Sequence, residues 1–141
     1  MKKQTLKLLD PAEDFILIGI ASHEKDYKIC WLLNNSLKLD FTKSDDLEFD
    51  DKKEGKKNLF CKFSFEDEFN RIQYFLLGNK NNANILLPQW KEMDYLLKIA
   101  GNIQDIDQDE IVKKLNSINT VQLAVSIDLK SLKTKDYLIF D

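Results

Sequence analysis

An uninterrupted apolar run from Phe15 to Ala21 constrains this chain more than any other feature of its sequence. The run has seven residues, carries no charge and is rich in β-branched isoleucine, which favours a strand over a helix. A strand that is apolar throughout has to be covered on both faces, so the run predicts a central strand of a sheet. Crossing a bilayer takes roughly 20 apolar residues, so the run is too short to span a membrane.

Two helices are predicted from the spacing of apolar residues and from capping residues. The first covers His23–Ser36, with Ser22 as its candidate N-cap, and we expect the apolar stripe that contains Trp31 to face the sheet. The second covers Asp107–Ser117, where the opening Asp and Glu110 form a capping pair.

The other apolar segments alternate with polar residues at the spacing of strands. A charged stretch around Gly55 separates two alternating segments, which predicts a hairpin whose second strand is Leu59–Phe65. A third strand near Asn70–Leu77 completes a β-meander. Met93–Ile99 is a further strand, with a helix starting at Pro88 as the alternative. The remaining strand predictions are Thr5–Leu9, Val121–Ile127 and Tyr137–Phe140, the last being either a strand or a docked chain end.

The order of these elements predicts one α+β domain over residues 1–141. We expect a mainly antiparallel β-sheet of about five to seven strands, with two α-helices packed on one face. The C-terminal βαβ portion is expected to be ferredoxin-like, by analogy alone. Hydrophobic residues make up 43% of the chain and charged residues 32%, which is a globular composition.

The charge pattern argues against binding to nucleic acid. The net charge is −3, and the 21 basic residues are all lysine except Arg71. Arginine is the side chain that best contacts phosphate and guanine, and nucleic-acid-binding domains are usually basic overall. Here the lysines alternate with acidic residues along the chain, which indicates solvated polar faces.

The residue types that build common catalytic and metal sites are scarce. His23 is the only histidine, and Cys30 and Cys61 stand 31 positions apart, so no zinc ligand set can be assembled. The acids of Asp105–Asp109 resemble the start of an EF-hand loop, but the glycine and glutamate required later in the loop are missing. No glycine-rich phosphate loop occurs. We therefore expect no catalytic residue, no cofactor and no metal ligand.

The N-terminus does not predict export. Met1-Lys2-Lys3 resembles the basic start of a signal peptide, but Lys7 and Asp10 interrupt the apolar segment that would have to follow. We expect a cytoplasmic protein with no membrane partner.

The stretch Leu87–Tyr95 resembles the signature of the bacterial IPExxxVDY family, an uncharacterised group named for that nonapeptide. Three positions match outright, two carry other apolar residues, and the family's Glu is replaced by Gln. Pro88, Asp94 and Tyr95 are the matches, Leu87 and Met93 are the apolar replacements, and Gln89 stands where the family has Glu. The resemblance implies a bacterial cytoplasmic protein of single-domain size, and it carries no established activity.

The departure at Gln89 favours a structural role for this motif. An amide has neither a proton to trade nor a charge, so it cannot replace a glutamate that acts as acid, base or metal ligand. Pro88 fixes its own φ and keeps the preceding residue extended. Asp94 is suited to accept from a nearby backbone N–H, and Tyr95 to pack its ring with the hydroxyl at the rim.

These patterns favour a non-enzymatic domain that acts by binding an unidentified protein partner. Homodimerisation through an edge strand, either Tyr137–Phe140 or the meander, is a subsidiary hypothesis, because uncovered strand edges invite pairing. A small-ligand sensor is the first alternative, with Asp94, Tyr95 and Asp107 lining a polar pocket. A carboxylate-dependent enzyme is the second alternative, and its candidate residues are Glu92, Asp94, Glu110 and Tyr95.

Overall fold

The computed structural model describes residues 14–51, 55–82, 84–132 and 138–140. The predicted strand Thr5–Leu9 and the first residue of the predicted tail, Tyr137, lie outside these residues. The strands are β1 (Ile16–Ser22), β2 (Thr42–Asp51), β3 (Lys56–Asp67), β4 (Ile72–Gly78), β5 (Lys80–Asn81), β6 (Asn84–Ile85), β7 (Tyr95–Gly101) and β8 (Val121–Ser126). The helices are α1 (Asp26–Leu37) and α2 (Gln108–Asn116), with short 3₁₀ turns at Pro88–Trp90 and Leu129–Ser131.

Six strands form one antiparallel sheet in the order β2-β3-β4-β7-β1-β8, and β5 and β6 form a separate two-stranded ribbon. Two helices pack on this sheet, so the predicted α+β class is confirmed. Strands β7 and β8 both pair with β1, from opposite sides, and α2 connects them. This is a split βαβ unit of the ferredoxin-like type.

Strand β1 lies inside the sheet, as its apolar run predicts. Ile18 pairs with Leu97 of β7 on one side and with Ser126 of β8 on the other. Its isoleucines point into the core below the helices, whereas Phe15 and Leu17 belong to the core on the opposite face. Both faces of the strand are therefore covered, which requires the continuous apolar sequence.

Both helices pack on the same face of the sheet, but the prediction that Trp31 of α1 faces the sheet was wrong. The buried side chains of α1 are Ile29, Cys30 and Leu33, whereas Trp31 is 56% exposed. The rest of the predicted stripe was Tyr27, Cys30, Leu33 and Leu37, so the stripe overlapped the buried side of α1 but extended too far around the helix, to the exposed aromatic residues.

The predicted start of α1 was also wrong. The helix begins at Asp26, and its N-cap is Lys25, which makes no side-chain capping bond. Ser22 is the last residue of β1, where its hydroxyl donates to the Thr120 carbonyl at 2.8 Å. It also accepts from the backbone N–H of Glu24 at 3.2 Å, so this side chain holds the turn that leads to the helix.

Turns and the chain end, in place of helices, cover the other face of the sheet. Leu86 and Leu87 of the segment before β7 are fully buried there, together with Ile127 after β8 and Leu138 near the C-terminus. Residues 138–140 form no strand, so the described part of the predicted tail is a docked terminus.

The predicted meander and the capping of α2 are confirmed. Strands β2, β3 and β4 pair consecutively, with a register shift in β2 between Ser44 and Leu47. The carboxylate of Asp107 accepts from the backbone N–H of Glu110 at 3.1 Å, and α2 begins at Gln108, directly after this cap. Among the residues that the structure describes, neither helix has the length and apolar character of a membrane-spanning segment.

Gly101→Ala is expected to destabilise the fold more than Gly55→Ala, although both glycines have positive φ values, +96° and +65°. A Cβ at Gly101 would collide with the carbonyl oxygen of Arg71, whereas nothing lies within 4 Å of one at Gly55. We expect Gly101→Ala to lower the free energy of unfolding by about 2 kcal/mol more than Gly55→Ala, because rigid backbone cannot move aside. Urea denaturation of the two variants measures the difference, and equal losses would contradict the clash.

Candidate functional site

The segment that carries the family resemblance connects the β5–β6 ribbon to β7. Leu87 is buried, Pro88 opens a 3₁₀ turn that ends at Trp90, and β7 begins at Tyr95. The predicted strand Met93–Ile99 and its alternative, a helix starting at Pro88, are therefore each partly right, because a single helical turn precedes the strand. After the turn the chain becomes extended, and from Tyr95 onward it pairs with β1 and β4.

Asn79, which follows β4, holds this segment in place. Its side-chain oxygen accepts from the N–H of Leu87 at 2.8 Å. Its side-chain nitrogen donates to the carbonyl oxygens of Trp90 and Met93, each at 2.9 Å. Its own backbone N–H donates to the Asp94 carbonyl at 2.9 Å. The residue is completely buried, so these bonds satisfy a polar side chain that would otherwise be costly to bury.

Other residues of the motif also make structural contacts. Met93 is buried, and a Cβ added at Gly19 of β1 would lie 2.7 Å from its Cγ. Glycine at position 19 is thus what lets the methionine lie against the sheet. The side-chain nitrogen of Gln89 donates to the Ser131 carbonyl at 2.9 Å, which links the motif to the 3₁₀ turn after β8.

Asp94 and Tyr95 fasten the start of β7 to the end of β1. The Asp94 carboxylate accepts from the backbone N–H of Ser22 at 2.8 Å and from the ammonium of Lys80 at 3.1 Å. The Tyr95 hydroxyl donates to the Glu24 carbonyl at 2.5 Å. Burial is the main cause that raises the pKa of Tyr95, followed by the Cys61 thiol and then by nearby carboxylates, so this phenol remains a proton donor at neutral pH.

These two side chains line an open polar cleft of about 590 Å³ between the end of β1 and strands β3 and β4. Neither Asp107, which caps α2, nor Glu92 and Glu110 belong to the lining. Of the residues named for the sensor and enzyme alternatives, the structure therefore brings Asp94 and Tyr95 together in the cleft. The other three named residues lie outside it. The lining also includes His23, Glu24, Lys25, Asp26, Asp46, Cys61 and Lys80.

The chemistry available in the cleft is limited. Burial is the main cause that raises the pKa of the Cys61 thiol, to about 11, so at neutral pH it is neither a thiolate nucleophile nor a ready metal ligand. Asp94 and Tyr95 are occupied by backbone groups and by Lys80. Within the described ranges, no group of three or more His, Cys, Asp or Glu side chains is arranged to hold a metal ion.

The outer side of α1 presents a second candidate surface. Tyr27 is 66% exposed and Trp31 56%, and the two residues lie four positions apart on one side of the helix. The ammonium of Lys28 lies 4.7 Å from the centre of the Trp31 ring. The side chain of Asn35 donates to the Trp31 carbonyl at 2.8 Å. We call Tyr27, Lys28, Trp31 and Asn35 the aromatic face of α1.

Sequence reasoning missed both Asn79 and the aromatic face. Asn79 stands in a Gly-Asn-Lys-Asn-Asn run that is typical of an ordinary turn, and no local pattern marks its distant partners. Tyr27 and Trp31 were assigned to the core because they share helical spacing with Cys30 and Leu33. A signal was available, since Ile29 with Cys30 and Leu33 forms a narrower apolar stripe that leaves both aromatic residues out.

Comparison of the chain with family models, curated proteins and solved structures finds no significant match. The resemblance to the IPExxxVDY signature therefore stays a prediction. The contacts of the motif residues give it a local structural meaning that does not depend on the family.

Asn79→Ala is expected to lower the free energy of unfolding by about 3 to 5 kcal/mol, because three buried backbone groups lose their partner at once. Chemical denaturation followed by fluorescence measures the loss. The matched control is Asn102→Ala in an exposed loop, which we expect to change stability by no more than about 0.5 kcal/mol. Asn79→Asp keeps the shape but loses the amide donors, so wild-type stability in that variant would contradict the proposed role of those donors.

The Cys61 thiol is expected to resist alkylation in the native protein. With a pKa of about 11, its thiolate fraction at about pH 8 is on the order of one thousandth. We expect iodoacetamide to modify Cys61 at least about 100-fold more slowly in the folded chain than in the urea-unfolded chain. Site-resolved mass spectrometry measures both rates, and similar rates would mean that this thiol is available for chemistry.

Proposed function

We propose that this chain is a non-enzymatic, cytoplasmic domain that binds another protein through the aromatic face of α1. The observation that supports the proposal is the pair of exposed rings, Tyr27 and Trp31, on a helix whose opposite side already fills the core. These rings contribute nothing to the core packing of α1. Tryptophan and tyrosine are the residues most enriched among those that dominate the energy of protein interfaces.

The chemistry of this face specifies the kind of partner. Trp31 offers a large flat ring, and the nearby Lys28 ammonium gives the face a positive edge. A complementary partner therefore has an apolar pocket with a carboxylate at its rim. The contact with the Lys28 ammonium also favours one orientation of the Trp31 ring, which lowers the entropic cost of binding.

The polar cleft supports the two alternative functions less well. A sensor pocket or a carboxylate-based active site needs polar groups directed at a ligand. In this cleft, Asp94 holds a backbone N–H and a lysine, and the Tyr95 hydroxyl is bonded to a backbone carbonyl. These two side chains therefore connect the end of β1 to the start of β7, and their polar atoms are already bonded.

Homodimerisation remains the subsidiary proposal. Among the strands that the structure describes, β2 and β8 are the two edges of the six-stranded sheet, so the outer strand of the meander is the candidate for pairing. Its irregular register between Ser44 and Leu47, together with its charged side chains, disfavours a continuous ladder with a second copy. Size-exclusion chromatography with light scattering tests this proposal, and a monomer at high concentration would refute it.

Substituting the aromatic face is expected to abolish partner binding without unfolding the domain. Tyr27→Ala combined with Trp31→Ala removes both rings from a surface that is already exposed. We expect the affinity for a partner captured from the native cytoplasm to fall at least tenfold, about 1.4 kcal/mol or more. Calorimetry with the purified partner measures the affinity of each variant.

Phe69→Ala is the matched control, because Phe69 is 94% exposed in the turn between β3 and β4, away from α1. We expect it to bind the partner like the wild type. Trp90→Phe leaves Trp31 as the sole tryptophan, whose emission should shift to shorter wavelength when the partner covers it. A partner that binds the double variant and the wild type equally would refute the proposed surface.

A further inference from the structure

Lys98 is a buried cation at the centre of the sheet. It lies in the middle of β7, opposite Leu17 of β1 and Phe75 of β4, and is only 3% exposed. Its side chain belongs to the face that is covered by turns and the chain end. Isolated charges in such a place are strongly disfavoured unless other groups compensate them.

Three aromatic rings surround the ammonium. Its nitrogen lies 4.1 Å from the ring centre of Phe140, 4.8 Å from that of Phe15 and 5.4 Å from that of Phe75. These distances are within the range of attraction between a cation and the face of an aromatic ring. The rings of Phe75 and Phe140 meet edge to face, with centres 4.9 Å apart, so the cage has a defined shape.

The aromatic rings do not supply the negative charge and the hydrogen-bond acceptors that an ammonium group requires. The ammonium has three N–H groups, and one described acceptor, the carbonyl oxygen of Leu138, takes one of them. No carboxylate of a described residue lies within ion-pair distance of Lys98. The second cation of the neighbourhood, Lys62 of β3, lies 5.0 Å from the centre of the Phe140 ring and adds to the positive charge.

A cavity of about 420 Å³ opens beside Lys98. Phe75, Phe140 and Ala100 give it apolar walls, and Ser64 and Gln73 supply neutral polar groups. The one acid of its lining is Glu66, which is exposed. Pockets of this size, mainly apolar with a few convergent polar groups, are typical of small-molecule sites.

We propose that this cavity binds a small carboxylic acid, with its carboxylate on the Lys98 ammonium and its apolar body against Phe75 and Phe140. The carboxylate supplies the negative charge and the hydrogen-bond acceptors that the described surroundings of Lys98 lack. The apolar body replaces water on the two rings. The inference is independent of the proposed function, since this cavity lies on the sheet face opposite the helices.

The charge state of Lys98 gives the site a defined pH dependence. Burial, followed by repulsion from Lys62, lowers the pKa of Lys98 to about 8. The free protein is therefore mostly protonated at this position at neutral pH, and the charge is lost as the pH rises through that value. A carboxylate binds the protonated form, so its affinity falls with rising pH. The other charged groups near Lys98 come from β3, where Glu66 lines the cavity and Lys62 lies beside the Phe140 ring.

Two small acids serve as probes, phenylacetate and hexanoate, and the neutral amide phenylacetamide is the matched ligand control. Calorimetry at about pH 6 and about pH 10 keeps both acids ionised while Lys98 changes charge. We expect saturable binding of at least one acid at the lower pH, at least tenfold weaker binding at the higher pH, and at least tenfold weaker binding of phenylacetamide than of phenylacetate.

Lys98→Met keeps a long unbranched side chain and removes the charge, and we expect at least a tenfold loss of acid affinity. Lys113→Met on the exposed side of α2 removes the same charge elsewhere and should leave binding unchanged. If Lys98→Met does not fold, the amide and the pH series decide the question in the wild type. Failure of both acids to bind, equal affinity for acid and amide, or wild-type affinity in a folded Lys98→Met variant overturns the proposal.

Discussion

The buried amide of Asn79 is the constraint on which the rest of this structure depends. It binds the segment from Leu87 to Met93 through both ends of its side chain, and its backbone bonds to Asp94 at the same point. The segment then enters β7, where the N–H of Asp94 donates to the Ile20 carbonyl of β1 at 2.8 Å. The connection between β4 and β7 thereby keeps its leucines on the sheet, and β1 is held between its two neighbours.

The two faces of the sheet are covered in different ways, and this difference shapes both candidate surfaces. On one face, α1 uses one side of its surface for the core and leaves a complete second side to solvent, where Trp31 lies. On the other face, turns and the chain end provide a less continuous cover. That cover encloses Lys98 with aromatic rings and leaves a cavity beside it. The protein thus presents an aromatic surface and a cavity beside a buried lysine on opposite sides of one sheet.

Much of the fold followed from local pattern. The apolar run at β1, the alternation in β3 and the capping pair of α2 each predicted the right element, because each depends on residues close together in sequence. The candidate sites followed less well. Trp31 was assigned to the core because it shares helical spacing with Cys30 and Leu33, and only packing against the sheet shows where the buried side of α1 ends. Lys98 lies in an apolar strand, and its surroundings come from β1, β4 and the chain end.

The sequence by itself indicated both helices and the main strands of the sheet, its continuous apolar centre, and the scarcity of the residue types that build common catalytic and metal sites. These properties follow from composition and from short-range periodicity. Tertiary structure decided which side of α1 is buried, how the single amide of Asn79 organises a distant segment, and where a lysine loses contact with water. Each of these outcomes depends on groups that meet only after the chain has folded, so the free energy that selects them is not encoded in any one stretch of residues.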